Sequence, residues 1–490
     1  MQRAEAAGSG PRTVRVSRRS GGSRARTERS RHPAPPLRRD KSLTLTTIKE
    51  ENAAAVHRAV LRVMWDVGAI IDDASIKRWL IHDHGCREAE DGRVRFPEDL
   101  VARALETVPR RITLYDRNGE MTVDTRDRTP KFCPGHNCVQ VLDYETGEHR
   151  PANLSDIEKV GRVSEALPNI DALASLGYPG DVPVEDEAVV TVQTLAAVSR
   201  KPVVFTGHDE VEAEAIWTFL AGEVGGWDNL AEKPCGLDLI GPVSPLKLGE
   251  EACRRVQFAA RHMLPNVCYP AIFPGMACPI TLAGAIVQSS AESLAGVVIS
   301  QMTMPGAPIM AGSSILPMDM RRADLAYGSP EYALGGLGSA DYFNYIGLPS
   351  WTGAGCSDAH DLDLQAAAEV GSNMTAAALA GTTFIHNLGF LSGGRTGSLE
   401  MLVLCDELAG MVGRLAAGIT VDEDAIALEV IKRAAADNAF LTDPHTFARY
   451  ETEMWIPGLF ERSDVSIWLE TGSTSMRQRI KEKLHDLLAS

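Results

Sequence analysis

The sequence predicts an α/β protein built on a (β/α)8 barrel, with an N-terminal α+β extension and C-terminal helices. Three observations carry that expectation. From about residue 136, short apolar runs of strand character alternate eight times with longer helical patterns. The chain has 490 residues, room for one large barrel with additions. Its composition, 44% hydrophobic and 23% charged, is that of a globular chain.

The elements follow in order. Residues 1–41 carry twelve Lys and Arg against three acids, with almost no large apolar residues, and predict a disordered Arg-rich tail. Residues 42–130 read as an N-terminal α+β region. Val56, Val60, Leu61, Met64 and Val67 share one helical face. Ile76, Trp79 and Leu80 mark a second short helix, and Phe96-Pro97 opens a third. Two short strands follow near 112–115 and 121–123.

The barrel is expected over 131–415. Its strands are drawn at 139–142, 172–176, 203–206, 237–240, 267–273, 308–311, 351–354 and 383–386. The helices run near 154–167, 187–199, 210–224, 249–262, 281–303, 330–346, 362–380 and 398–415. Ser155-Asp-Ile-Glu158 reads as a capping box for the first of them. A doubly wound open sheet is the alternative architecture. Residues 416–490 add helices expected to pack on the outside.

Charge narrows the function classes. Beyond residue 41 the chain carries 37 Lys and Arg against 62 acids, a surface that repels phosphate backbones and suits cationic ligands. Nine scattered cysteines suggest free thiols in a reducing cytoplasm rather than a disulfide framework. The most apolar stretch, 281–317, is interrupted by Glu292, Pro305 and Pro308 and reads as a buried helix followed by a strand, not a membrane span.

The C-terminal ends of barrel strands carry active sites. Several predicted strands end in Gly and polar residues: Gly177-Tyr178, Gly207-His208, Gly312-Ser-Ser314, Gly355-Cys-Ser-Asp358 and His386-Asn387. Glycine there lets a backbone approach a ligand, although ordinary turn chemistry accounts for any one of them equally well. The richest cluster is Ser357-Asp358-Ala-His360-Asp361-Leu-Asp363, with Gln365 and Glu369 following. Its carboxylates and imidazole can hold a cation, orient a ring or ligate a metal, and Asp361 or Asp363 can instead cap the next helix. Cys133-Pro-Gly-His136-Asn-Cys138 has loose zinc spacing and reads better as a turn with buried thiols. Phe132, Tyr178, Tyr342, Phe343, Tyr345, Trp351 and Phe390 lie near strand ends or in the helix before the seventh strand. Aromatic faces beside carboxylates suit a quaternary ammonium, and core packing is the plainer reading for each ring alone.

The chain also resembles a known family. The matching stretches are Trp65-Asp-Val-Gly68, Leu142-Asp-Tyr-Glu-Thr-Gly-Glu-His-Arg-Pro151, Pro279-Ile-Thr-Leu-Ala-Gly284 with Ala291-Glu292, and Pro305-Gly-Ala-Pro308. Ser357-Asp-Ala-His360, Asp363-Leu-Gln365 with Glu369, Ala380-Gly381 and Gly389 complete the series. In that order they resemble the trimethylamine methyltransferase (MttB-like) superfamily, from about residue 45 past 415. The resemblance implies a (β/α)8 barrel that passes a methyl group from a methylated amine to the Co(I) of a separate corrinoid protein. It implies no tightly bound cofactor and no metal held by this chain. Trimethylamine-specific members carry pyrrolysine, which this sequence lacks, and the stretch after the last strand reads Gly389-Phe-Leu-Ser392. The resemblance therefore points to the pyrrolysine-free branch that includes glycine betaine methyltransferases.

On this reading Asp358 and His360 are the catalytic candidates, at the mouth of the seventh strand. Tyr178, Trp351, His386, Asn387 and Phe390 are the substrate-binding candidates. Glu369 reads as a structural acid. A homo-oligomer is expected, with neither nucleic acid nor membrane as partner. The competing expectations are a barrel enzyme using Asp358, His360 and Cys356 or Cys133 for metal-assisted or acid–base chemistry, and a non-catalytic binder of quaternary amines.

Overall fold

Seven parallel strands wrap an apolar interior in the computed structural model, which describes residues 44–127 and 129–489. The predicted tail, residues 1–41, lies outside the described residues. Around the barrel, Lys131–Pro134 is bonded to Phe384–Leu388, then come Ser350–Gly353, Ile309–Gly312, Asn266–Cys268, Gly236–Ile240 and Val203–Phe205. Residues 171–176 close the remaining gap. Asp171 N–H donates to the Phe132 carbonyl and Leu173 N–H to that of Pro202, both at 2.8 Å. Leu176 N–H donates to Gly135 at the same distance.

Alternation decides which side chains fill the barrel. Cys133, Ala172, Ala174, Val204, Leu237, Leu239, Val267, Tyr269, Met310, Trp351 and Phe384 form one buried interior cluster. Their strand neighbours face the surrounding helices. There Asp238 and Arg255 make a buried ion pair between strand and helix.

The first strand differs from the expectation. It is Lys131–Pro134, and Gln140–Leu142 belongs instead to a small four-stranded sheet with His149–Pro151, Thr396–Gly397 and Phe390–Leu391. A four-residue strand that opens on Lys and closes on Pro has weak strand character, whereas 139–142 alternates well. Val139 is nonetheless 61% exposed and precedes the strand, while Val141 and Leu142 are buried outside the barrel-interior cluster. The first helix after it, Leu154–Ala166, is capped two residues earlier than expected. Asn153 and Asp156 form the reciprocal box, in place of Ser155 and Glu158.

The long apolar helix Leu282–Thr303 passes by length and composition for a membrane span, yet most of it is buried in the barrel wall. It shares a core with Val60, Met64, Leu80 and Leu100 of the N-terminal elements. At the other end, the helix Met476–Ala489 is fastened by Arg477. Its guanidinium donates to both Asp361 oxygens, at 2.7 and 2.6 Å, and to the fully buried Glu400. Asp361 is therefore a clamp for the C-terminal helix, while Asp363 caps Leu364–Leu379 through Ala366 N–H. Arg477→Ala strands the Glu400 carboxylate in the core and is expected to cost about 2 kcal/mol by denaturant unfolding. A loss no larger than a surface arginine gives would refute the clamp.

Candidate active site

The mouth of the barrel is built where the inward-facing positions end. His386 is 4% exposed on the last strand. The Trp351 indole N–H donates to His386 Nδ1 at 2.7 Å. An indole nitrogen only donates, so Nδ1 carries a lone pair and the ring proton sits on Nε2. The Thr352 carbonyl, 3.1 Å from the same Nδ1, is thereby left without that proton. Burial first, then the neighbouring His136, pushes His386 down to about 3.

His136 stacks on His386 with ring centres 5.9 Å apart and an interplanar angle of 28°. Burial pushes it down to about 4, and its Nδ1 is buried with no partner. Tyr269 meets His386 edge-on at 5.0 Å. Its hydroxyl is buried in reach of the Ser314 side chain and the Gly353 backbone, and Ser314 is itself fixed by its N–H bond to the Pro270 carbonyl. Trp351 is 1% exposed and stacks flat on Phe384 at 4.3 Å. The floor of the mouth is thus buried, neutral and aromatic, with an orphaned imidazole nitrogen at His136. Such atoms are rare in folded chains and point to a missing partner.

A second ring sits beside it. Tyr327 and Tyr332 cross at 5.1 Å, and Asn387 Nδ2 donates to Tyr332 Oη at 3.4 Å. Asn387 holds φ at 78°, a left-handed conformation asparagine tolerates better than most residues. A Cβ at Gly353 would stand 2.3 Å from Tyr332 Oη and 2.5 Å from Asn387 Nδ2. A Cβ at Gly135 would collide with the Phe390 ring, which packs directly against that backbone.

Asp358 spends both oxygens on backbone. It accepts from Tyr327 N–H at 2.8 Å and Gly328 N–H at 2.9 Å, which ties the loop carrying Tyr327 over the mouth. Burial raises its pKa despite those two bonds. Glu369 accepts from Ser357 Oγ at 2.6 Å and from Asp358 N–H at 2.9 Å, holding that turn from below. His360 is exposed on the rim, its Nδ1 3.0 Å from Ser392 Oγ. Beside it the Asp324–Arg395 pair spans two rim loops.

Tyr178 is half-buried on an acidic side, where burial first, then Glu187 and Glu212, raises its hydroxyl pKa. Glu212 accepts from His208 Nδ1 at 2.9 Å. A cavity of about 20 Å³, enough for one water, lies between His136, Ser175, Glu187 and Thr206. Of the aromatic residues considered in the sequence, Tyr342 and Phe343 pack together in the core shared with the N-terminal helices, and His57 Nδ1 lies 3.1 Å from Tyr342 Oη. Cys133 faces the barrel core, and Cys138 donates to the Gly394 carbonyl at 3.2 Å.

Residues 15–490 match the trimethylamine methyltransferase (MTTB) family. The chain belongs to that family. It is 28% identical over 445 residues to the trimethylamine methyltransferase MttB of Desulfitobacterium hafniense, covering 91% of this chain and 89% of that one. It is equally close, 28% over 448 residues, to a glycine betaine methyltransferase of the same species, covering 90% and 92%. The MttB of Methanosarcina barkeri is 29% identical over 459 residues, covering 91% and 90%. The monomethylamine methyltransferase structure from M. barkeri shares the fold, with a TM-score of 0.51 at 10% identity over 91% of this chain and 89% of that one. This MTTB-family chain is therefore a methyltransferase on a closed barrel.

Two neutral imidazoles, His386 buried and His136 half-buried beside it, give the MTTB-family chain a pH signature. The unfolded chain takes up these protons near the ordinary value of 6.5, the folded chain only near 3 and 4. Between those values the unfolded state binds more protons, so stability falls as pH drops below 6.5. Each imidazole adds about 1.4 kcal/mol per pH unit to that slope. Urea unfolding between neutral and mildly acid pH is expected to show the slope, and His386→Leu to flatten it by one such increment. An unchanged slope in that variant would mean His386 is not held neutral by burial.

Proposed function

We propose that this methyltransferase moves a methyl group from a quaternary amine bearing a carboxylate, a betaine, to the Co(I) of a separate corrinoid protein. The observation that carries the reading is the neutral, aromatic mouth itself. A neutral imidazole with its proton on Nε2 stands beside the buried Tyr269 hydroxyl and its neighbour Ser314, within a wall of aromatic rings. Buried neutral donors suit a carboxylate oxygen, and aromatic faces suit the ammonium.

The chemistry agrees with that division. When the C–N bond of a quaternary ammonium breaks, its electron pair returns to nitrogen and a neutral tertiary amine leaves. The methyl carbon bonds to cobalt with the electron pair Co(I) brings. No general acid is required, in keeping with imidazoles that stay unprotonated. A tertiary amine donor would leave as an anion unless first protonated or captured covalently.

In this reading the residues divide the work. His386 and Asn387 orient the substrate from the last strand. Trp351 fixes the His386 tautomer, and Tyr178 and Phe390 contribute to the walls. Asp358 positions Tyr327, and His360 acts from the exposed rim, where the acceptor protein approaches. The corrinoid is a co-substrate delivered by its own protein. Nine unpaired cysteines suit a reducing cytoplasm. Proton NMR of the amine products tests the donor class. One tertiary amine per methyl transferred supports the reading, and turnover of trimethylamine in preference to every betaine would overturn it.

A further inference from the structure

The stretch from Leu415 to Leu469 carries apolar side chains that no other described part of the chain covers. Sixteen large apolar residues are exposed there, from 37% at Phe440 to 88% at Ile419, against fifteen in all the remaining described residues. They recur at helical spacing on the outer faces. Phe447, Tyr450 and Met454 follow Pro444–Glu453, Leu428 and Ile431 line Leu428–Ala434, and Val465 and Leu469 lie on Val465–Glu470.

The arm is nevertheless well anchored. Glu407 Oε1 accepts from Gly458 and Leu459 N–H at 2.8 Å each, and Arg414 Nε donates to the Glu453 carbonyl at 3.1 Å. It is held against the helix Leu399–Ala416 on the barrel's outer wall, and it turns its apolar stripes away from that wall.

We propose that this arm is the surface through which two copies of the chain associate. Three arguments choose that occupant. The sixteen side chains expose on the order of 1,500 Å² at these exposures, more than the roughly 800 Å² each partner buries in a standard interface. Strongly apolar contacts belong to permanent assemblies, whereas an acceptor protein that leaves after every turnover is held by a surface of ordinary polarity. The chain's own N-terminal 41 residues hold only Met1, Val14, Val16 and Leu37 as large apolar residues, too few to cover the arm.

Charge sets the salt dependence. Residues 416–470 carry eleven Asp and Glu against four Lys and Arg, so two arms repel one another across their polar rims. Salt screens that repulsion and leaves apolar burial intact. Association of the arms therefore strengthens with salt, the opposite of charge-steered docking.

Sedimentation velocity on the full chain, from low to tens of micromolar and at low and high salt, tests this. The expected result is a dimer or a multiple of it that tightens with salt. Phe447→Asp with Met454→Asp is expected to sediment as a monomer with unchanged far-UV circular dichroism. Ile419→Asp with Val421→Asp, in a loop with no helix to break, gives the same result if the first pair disturbs folding. A wild-type monomer throughout that range overturns the proposal. So does a dimer that survives both variant pairs, or a monomer that uses the arm only to bind the corrinoid protein.

Discussion

His386→Leu is expected to lower methyl transfer from the best betaine at least 100-fold while leaving the barrel folded. Leucine keeps the volume but removes the Nε2–H. It also leaves the Trp351 indole N–H unpaired in the interior, which costs about 1–2 kcal/mol of stability. Trp351→Phe separates orientation from bulk. Phenylalanine preserves the stack on Phe384 but cannot donate, so Nδ1 is free to take the proton and donate to the Thr352 carbonyl, 3.1 Å away. Nε2 then becomes an acceptor facing the substrate carboxylate. Trp351→Phe should therefore lose activity on the order of 100-fold, mostly in KM, although the histidine is intact. Nitrogen-15 shifts of the imidazole read the tautomer directly. Full activity in Trp351→Phe, or an unchanged tautomer, would show that the indole bond is only packing.

Asp358→Ala carries the next largest expected effect. It leaves the Tyr327 and Gly328 N–H groups without their acceptor and frees the loop over the mouth. A loss of about 10- to 100-fold in kcat/KM is expected, because misplacing a wall by an ångström disturbs the near-attack geometry. Stability should fall by only about 1–2 kcal/mol. Proteolysis distinguishes the mechanism, since cleavage between 316 and 329 is expected to speed up in this variant and to slow when a betaine is added. Asp358→Asn keeps one acceptor oxygen and should lie between wild type and alanine. Equal activity in all three would mean the clasp has no part in turnover.

Much of the frame was legible because barrel strands and helices differ in apolar period. Leu237 and Leu239 show this well: two residues apart on Gly236–Ile240, both pack in the interior cluster. The same signal misled at 139–142, because Val141 and Leu142 of a small-sheet strand are buried outside the barrel-interior cluster and look, in sequence, like barrel-strand residues. His386 and Asn387 stood out as polar residues at a strand end. Tyr327 and Tyr332 did not, because one lies on a loop and the other in the first turn of a helix, and only tertiary folding brings them together. The bond that selects the His386 tautomer joins residues 35 apart in sequence, a separation no local pattern reports. Asp358 was conspicuous, but its use as a backbone clasp depends on where the Tyr327 loop returns.

The central claim is methyl transfer from a carboxylate-bearing quaternary amine. Its most direct test mixes the purified chain with a corrinoid protein in the Co(I) state and follows the absorbance of Co(I) with glycine betaine, proline betaine, carnitine, choline and trimethylamine. The account predicts rapid loss of Co(I) with at least one betaine, little with choline or trimethylamine, and near abolition by His386→Leu. Transfer from choline or trimethylamine equal to that from the best betaine, or none from any betaine with an acceptor protein that a known betaine methyltransferase can methylate, would contradict it.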